Sequence, residues 1–161
     1  MSATPHGPTV RLVRVERTGS TNDDLAAAVE AAPHEWPHLS ALVAHHQVAG
    51  HGRAGRDWHT PAGLALTVSF LLRPTVAPAA LPSVPAVAGL AVARAVGRFL
   101  PAGVRAATKW PNDVLLVPAP PGAADRPGPT ADPRAPRAAG EIEGWGTDRK
   151  VAGILARVVP A

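Results

Sequence analysis

The stretch 104–117, VRAATKWPNDVLLV, decides the fold. Residues 104–109 and 113–117 are largely apolar and β-branched. Trp110-Pro111-Asn112 between them is turn chemistry, because Pro fixes φ and Asn can hydrogen-bond its own backbone. Two such runs three residues apart predict a β-hairpin. On its N-terminal side, residues 85–100 place Val87, Leu90, Ala91, Ala95 and Phe99 at helical spacing. That pattern predicts a helix packing this face into the core. On its C-terminal side, KVAGILARVV at 150–159 predicts a further strand.

The same reading extends to the N-terminus. VRLVRV at 10–15 predicts a strand, and TGSTNDDLAAAVEAA at 18–32 predicts a helix. Thr18, Ser20 or Thr21 can cap it, and Asp23 and Asp24 suit its positive end. It should stop near Ala32, before Pro33. SALVA at 40–44 and LALTVSFLL at 64–72 predict strands, with a Gly/Arg loop at 47–57 between them. Helices and strands mix without strict alternation. The expected fold class is therefore α+β, one mixed or antiparallel sheet with helices on one face. Residues 118–146 are dominated by Pro, Gly and Ala, with Ile142 the one aliphatic side chain larger than Ala. That composition predicts a disordered insertion between two strands. One domain is expected over 10–161, interrupted by this insertion, behind a flexible N-terminus at 1–9.

Composition excludes several classes. The 161 residues include no Cys, which rules out disulfides, Cys-bound zinc or iron–sulfur centres and a catalytic thiol. His45, His46, His51 and His59 lack the spacing of a zinc site, so no zinc is expected. The net charge of +4 is too small to be a nucleic-acid footprint, and no DNA partner is expected. No apolar signal opens the chain, and the uncharged run at 74–93 is broken by Pro74, Pro78, Pro82 and Pro85. A cytoplasmic protein without a membrane span is expected. Basic residues are 14 Arg and only two Lys. Those two, Lys109 and Lys150, fall with Asn22, Asn112 and the single Gln, Gln47, in four short stretches.

Each stretch suggests chemistry. In QVAGHGRAGRDW at 47–58, Gly50, Gly52 and Gly55 let backbone amides approach an anion. Arg53 and Arg56 can grip carboxylate or phosphate, and Trp58 offers a flat face. These residues suit a flexible loop that closes over an anionic ligand, and they equally fit a solvated Gly/Arg surface loop; the stretch is neither a Walker A motif nor a dinucleotide fingerprint. In KWPND, Lys109, Asn112 and Asp113 at a rigid turn could meet a nucleotide and its Mg²⁺, which needs one or two carboxylates beside phosphate oxygens. Ordinary turn chemistry gives the same residues. Lys150 heads an apolar strand beside Gly153 and can stabilise charge developing between a carboxylate and a phosphate. It also fits a lysine snorkelling to solvent. Ser20-Thr21-Asn22 can cap a helix or bind a polar head group.

In this order and spacing, STN at 20–22, QxAGxGRxGRxW at 47–58, KWPND at 109–113 and KxAGIL at 150–155 resemble biotin protein ligase, over roughly residues 13–158 without the insertion. The resemblance implies a class II aminoacyl-tRNA synthetase-like fold. It also implies a reaction in which biotin and ATP give biotinyl-5′-adenylate and pyrophosphate. The biotinyl group then passes to a lysine of a biotin carboxyl carrier protein. It further implies biotin contacts from Ser20, Thr21, Asn22, Gln47, Gly50, His51, Gly52, Arg53, Lys150 and Gly153. Nucleotide contacts are implied for Arg53, Arg56, Trp58, Lys109 and Asn112, Mg²⁺ at Asp113, and catalysis by Lys150 and Arg53. His51 stands where the family usually has Arg, which removes a fork of donors and a permanent charge. The family continues after KxAGIL with further strand, helix and usually a small β domain. An exposed sheet edge, and aggregation or a homodimer, are expected where that continuation is lacking. No helix-turn-helix pattern precedes the motifs, so a repressor role is not expected. The alternatives are an inactive or binding-only remnant and a lipoate or octanoyl ligase-type acyltransferase.

Overall fold

The computed structural model describes residues 10–120 and 149–159. The insertion expected at 118–146 and the N-terminus expected at 1–9 lie, but for 118–120, outside the described residues. The chain divides into two compact units, residues 1–76 with 157–161, and residues 77–156.

The first unit is built on a β–α–β crossover. Strand β1 (Leu12–Thr18) leads into helix α1 (Thr21–Ala31), which returns to strand β2 (Ala41–Gln47). β1 and β2 run parallel, from Leu12 opposite Ala41 to Thr18 opposite Gln47. β5 (Thr67–Phe70) pairs antiparallel on the other side of β2, giving the order β1-β2-β5. Val13 and Val15 alternate toward α1, whose Leu25 and Val29 pack with Trp36 and Leu42. Arg11 closes this core from outside, its guanidinium 4.2 Å above the Trp36 ring and 2.7 Å from the Glu35 carboxylate. The strand expected at 64–72 is shorter, because Leu64 and Leu66 stand about 80% and 79% exposed before pairing begins at Thr67. The Gly/Arg loop also differs from expectation. It folds as a small hairpin of β3 (Gly50–His51) and β4 (Asp57–Trp58), a sheet of its own. The tip holds Ala54 at φ 57° and Gly55 at φ 70°, and the Gly52 N–H donates to the Arg56 carbonyl at 2.6 Å. Left-handed residues at the tip match the twist of the paired strands.

The second unit is an antiparallel meander with one helix. Strands β6 (Val104–Lys109) and β7 (Asp113–Pro118) form the expected hairpin, with Lys109 opposite Asp113, and β8 (Arg149–Gly153) pairs with β7. β8 is shorter than the strand expected at 150–159. In place of the single expected sheet, the described residues therefore form three. Helix α2 (Val84–Gly97) packs on β6 and β7, on the opposite face to the one expected. Gly89 and Ala93 are buried, while Val87, Leu90 and Phe99 are 63%, 47% and 84% exposed. The reason is close approach. A Cβ on Gly89 would sit 3.8 Å from Thr108 Cγ2 and Ile154 Cδ1, so the backbone lies against the sheet through small residues. The run Pro78–Gly97 is long and apolar enough to cross a membrane by length and composition. It is split into a 3₁₀ turn containing Pro82 and then α2.

Candidate functional site

The site residues of the first unit gather at the amino end of α1. Ser20 is the N-cap, its hydroxyl accepting from the Asp23 N–H at 3.3 Å. Thr21 follows, 3% exposed, and its N–H and hydroxyl both donate to Gln47 Oε1, at 2.9 and 3.2 Å. Ser69 of β5 donates to the Thr21 hydroxyl at 2.9 Å. Gln47, 8% exposed, is thus anchored at the end of β2 against the start of the helix. Asn22 occupies the first turn beside them. The result is a buried polar cluster at the positive end of a helix dipole, suited to holding a polar or anionic group.

The β3–β4 hairpin lies against this cluster. A Cβ at Gly50 would fall 2.2 Å from Gln47 Nε2 and 2.6 Å from the Trp58 carbonyl, so only glycine lets the hairpin and Gln47 coexist. Gly52 is less confined, a Cβ there falling 3.2 Å from the Arg56 carbonyl. Arg53 and Arg56 flank the tip, the Arg56 side chain donating to the Arg53 carbonyl at 3.2 Å. Trp58 pairs with Gly50. His51 Nε2 stands 3.2 Å from one oxygen of Asp23, whose other oxygen receives Arg157 at 3.0 Å. From sequence alone Asp23 reads only as a helix-start acid. Its grip on the hairpin is a long-range contact that helix-capping rules do not reveal. Thr18 similarly donates to the Asp24 carboxylate.

Lys109, Asn112, Asp113, Lys150 and Gly153 gather in the second unit. The β6–β7 loop has a cis Trp110–Pro111 bond, and its Asn112 carbonyl accepts from the Ile154 N–H at 2.7 Å. Lys150 Nζ lies 2.7 Å from Asp113 Oδ1. This pair depends on a bulge. Asp113 is opposite Gly153 and Val114 opposite Ala152, but Leu115 is opposite Lys150, so Val151 is the extra residue. Simple alternation from Gly153 would turn Lys150 toward the other face; the bulge turns it onto the face of Asp113. A pocket of about 150 Å³ between the start of α2 and residues 108–113 opens beside the loop, lined by Lys109, Asn112 and Asp113. The resemblance implies Mg²⁺ at Asp113. Its carboxylate is engaged by an ammonium, and among the described residues no three His, Cys, Asp or Glu side chains cluster, so a cation here would take most of its ligands from the nucleotide's phosphates.

The sequence model of the biotin/lipoate A/B protein ligase family matches residues 14–161. The chain belongs to that family. The biotin–[acetyl-CoA-carboxylase] ligase of Paracoccus denitrificans is 40% identical over 104 residues, which are 62% of this chain and 40% of that protein. A bifunctional ligase/repressor of Bacillus subtilis is 35% identical over 89 residues, 55% of this chain and 27% of its own. Among solved structures, the biotin protein ligase from Aquifex aeolicus in complex with biotin and ATP superposes with a TM-score of 0.51 at 35% identity, covering 65% of this chain and 40% of that one. This biotin/lipoate ligase chain thus spans less than half the length of each of these relatives. Its fold is the class II aminoacyl-tRNA synthetase-like fold of biotin protein ligases.

Proposed function

We propose that the chain activates biotin with ATP and serves a biotin–[acetyl-CoA-carboxylase] ligase reaction in the cytoplasm. The observation that carries this is the buried Thr21–Gln47 cluster with the glycine-dependent hairpin packed on it. A polar cluster closed over by an Arg-bearing hairpin is what a small polar head group with a carboxylate tail requires. The likeness to ligases bound to biotin and ATP supports the same substrates.

In this reading Ser20, Thr21, Asn22 and Gln47 hydrogen-bond the biotin head group, and Gly50, His51, Gly52 and Gly153 shape its pocket. Arg53, Arg56, Trp58, Lys109 and Asn112 hold the nucleotide. A biotin carboxylate oxygen forms a bond to the α-phosphorus, and the bond from that phosphorus to the bridging oxygen breaks to release pyrophosphate. Two anions must meet for this to happen. Lys150 and Arg53 offset their repulsion and stabilise the charge on the transferring phosphoryl oxygens. A lysine amine of the carrier protein then attacks the acyl carbon and AMP departs with the electron pair. No protein nucleophile is required. ATP carries Mg²⁺ as part of the substrate, and no step here routes through a metal held by the chain. Repressor activity, named for the Bacillus relative, is not part of this proposal.

Biotin-dependent ATP–pyrophosphate exchange tests the reading, with Lys150→Ala as control. Exchange that requires biotin and Lys150 is expected. Exchange driven by lipoate instead of biotin, or undiminished in Lys150→Ala, would overturn it.

A further inference from the structure

The β6–β7–β8 sheet puts Thr108 and Val114 on the α2 face, Val114 without any exposed surface. Lys109, Asp113 and Lys150 take the other face, with Arg105 farther along it. Among the described residues of this face Asp113 is the one acid among three bases. Its β8 neighbour across the ladder is Gly153, which has no side chain to compete for the carboxylate. The bulge at Val151 delivers Lys150 to the same face, and the two side chains meet at 2.7 Å, each about a quarter exposed. A cation would have to displace this ammonium, and among the described residues no three His, Cys, Asp or Glu side chains gather to hold it.

We propose that Asp113 is a positioning residue for the Lys150 ammonium and not a ligand for the nucleotide's cation. The proposal deepens the function above and rests on Lys150 acting at the reacting oxygens. A lysine ammonium is a point charge on a flexible four-carbon stem. A carboxylate 2.7 Å away fixes where it sits, and an ammonium carries three N–H donors with which to meet more than one oxygen. Holding it there before substrate arrives removes an orientation cost from the reaction. The bulge and the bare Gly153 position are what make the fixed geometry reachable.

The test uses the full chain and Asp113→Asn, which keeps shape and removes charge, with Asp113→Glu as the rescue. Because the chain has only two lysines, Lys109 and Lys150, competitive labelling with acetic anhydride reports on both in one experiment. In Asp113→Asn, labelling of Lys150 should rise several-fold while that of Lys109 stays within twofold. Single-turnover adenylate formation at saturating biotin and ATP should fall tenfold or more, the Mg²⁺ concentration for half-maximal rate should not move, and Asp113→Glu should recover part of the rate. A raised Mg²⁺ requirement with unchanged labelling would make Asp113 a cation ligand and overturn the proposal. Equal increases at both lysines would mean the hairpin has only loosened, which also overturns it. Should the chain form no adenylate, the labelling contrast decides alone. Loss of the Lys150 requirement in exchange would sink the functional reading without touching that contrast.

Discussion

Replacing Gly50 by Ala should break the junction between the β3–β4 hairpin and the buried cluster. The added methyl would lie 2.2 Å from Gln47 Nε2, 3.2 Å from Gln47 Cδ and 2.6 Å from the Trp58 carbonyl. Rotating Gln47 away relieves the first two contacts only. The third is backbone on the paired strand, so β4 must shift as well. Overfilling a packed site costs about 1–3 kcal/mol. Expelling Gln47 also leaves the buried Thr21 N–H without its acceptor, at about 1–3 kcal/mol. Urea melts should therefore show a loss of about 2–6 kcal/mol, and biotin affinity should fall with it. Gly19→Ala is the matched control, since a Cβ there meets nothing within 4 Å, and it should stay within about 0.5 kcal/mol of the parent. Pairing Gly50→Ala with Gln47→Ala should cost less than the sum of the two, because they share one contact. A Gly50→Ala chain as stable as Gly19→Ala, binding biotin normally, would refute the reasoning.

Other outcomes follow from the same contacts. Leu90→Ala should change stability by less than about 0.5 kcal/mol because Leu90 faces out, whereas Ala93→Leu should cost about 1–3 kcal/mol by forcing α2 off the sheet; the reverse order in thermal melts would restore the helix face expected from sequence. Asp23→Asn should cost no more than about 1 kcal/mol at low salt, since its pairs with His51 and Arg157 are half exposed, yet amide exchange of His51 should quicken. The Arg11 hydrogen bond and charge hold the Glu35 carboxyl below its ordinary pKa of 4.5. Its contribution to stability is present above that value and is lost as pH falls through the lowered one, and Arg11→Ala should abolish this acid-side dependence in melts run across that range.

The parts of the fold that sequence reveals are those settled by neighbours along the chain. α1 has a capping Ser20, acids in its first turn and Pro33 just past its end, and the β6–β7 hairpin has its turn in Trp110-Pro111-Asn112. The face of α2 was not legible, because nearly every side of that helix is Ala or Val and the choice falls to where Gly89 lets backbones approach. The face of Lys150 was hidden for another reason. Alternation counts residues in twos, and the bulge at Val151 resets the count through a pairing that only β7 supplies. The four motif stretches were visible as rare Lys, Asn and Gln residues in an Arg- and Ala-rich chain. The link between Gln47 and Thr21, twenty-six residues apart, required the parallel β1–β2 register to bring them together.

The left-handed pair at Ala54 and Gly55 has a thermodynamic consequence. Ordering five free residues at 52–56 on binding would forfeit about 1–2 kcal/mol of backbone entropy for each. With the hairpin tip already closed by the Gly52–Arg56 hydrogen bond, a ligand gripped there has little backbone left to immobilise, and fixing a rotamer-rich side chain costs at most about 0.5–1.5 kcal/mol. Calorimetry of anion binding at this tip should accordingly show a small heat-capacity change and little entropic penalty, the signature of a receptor assembled in advance.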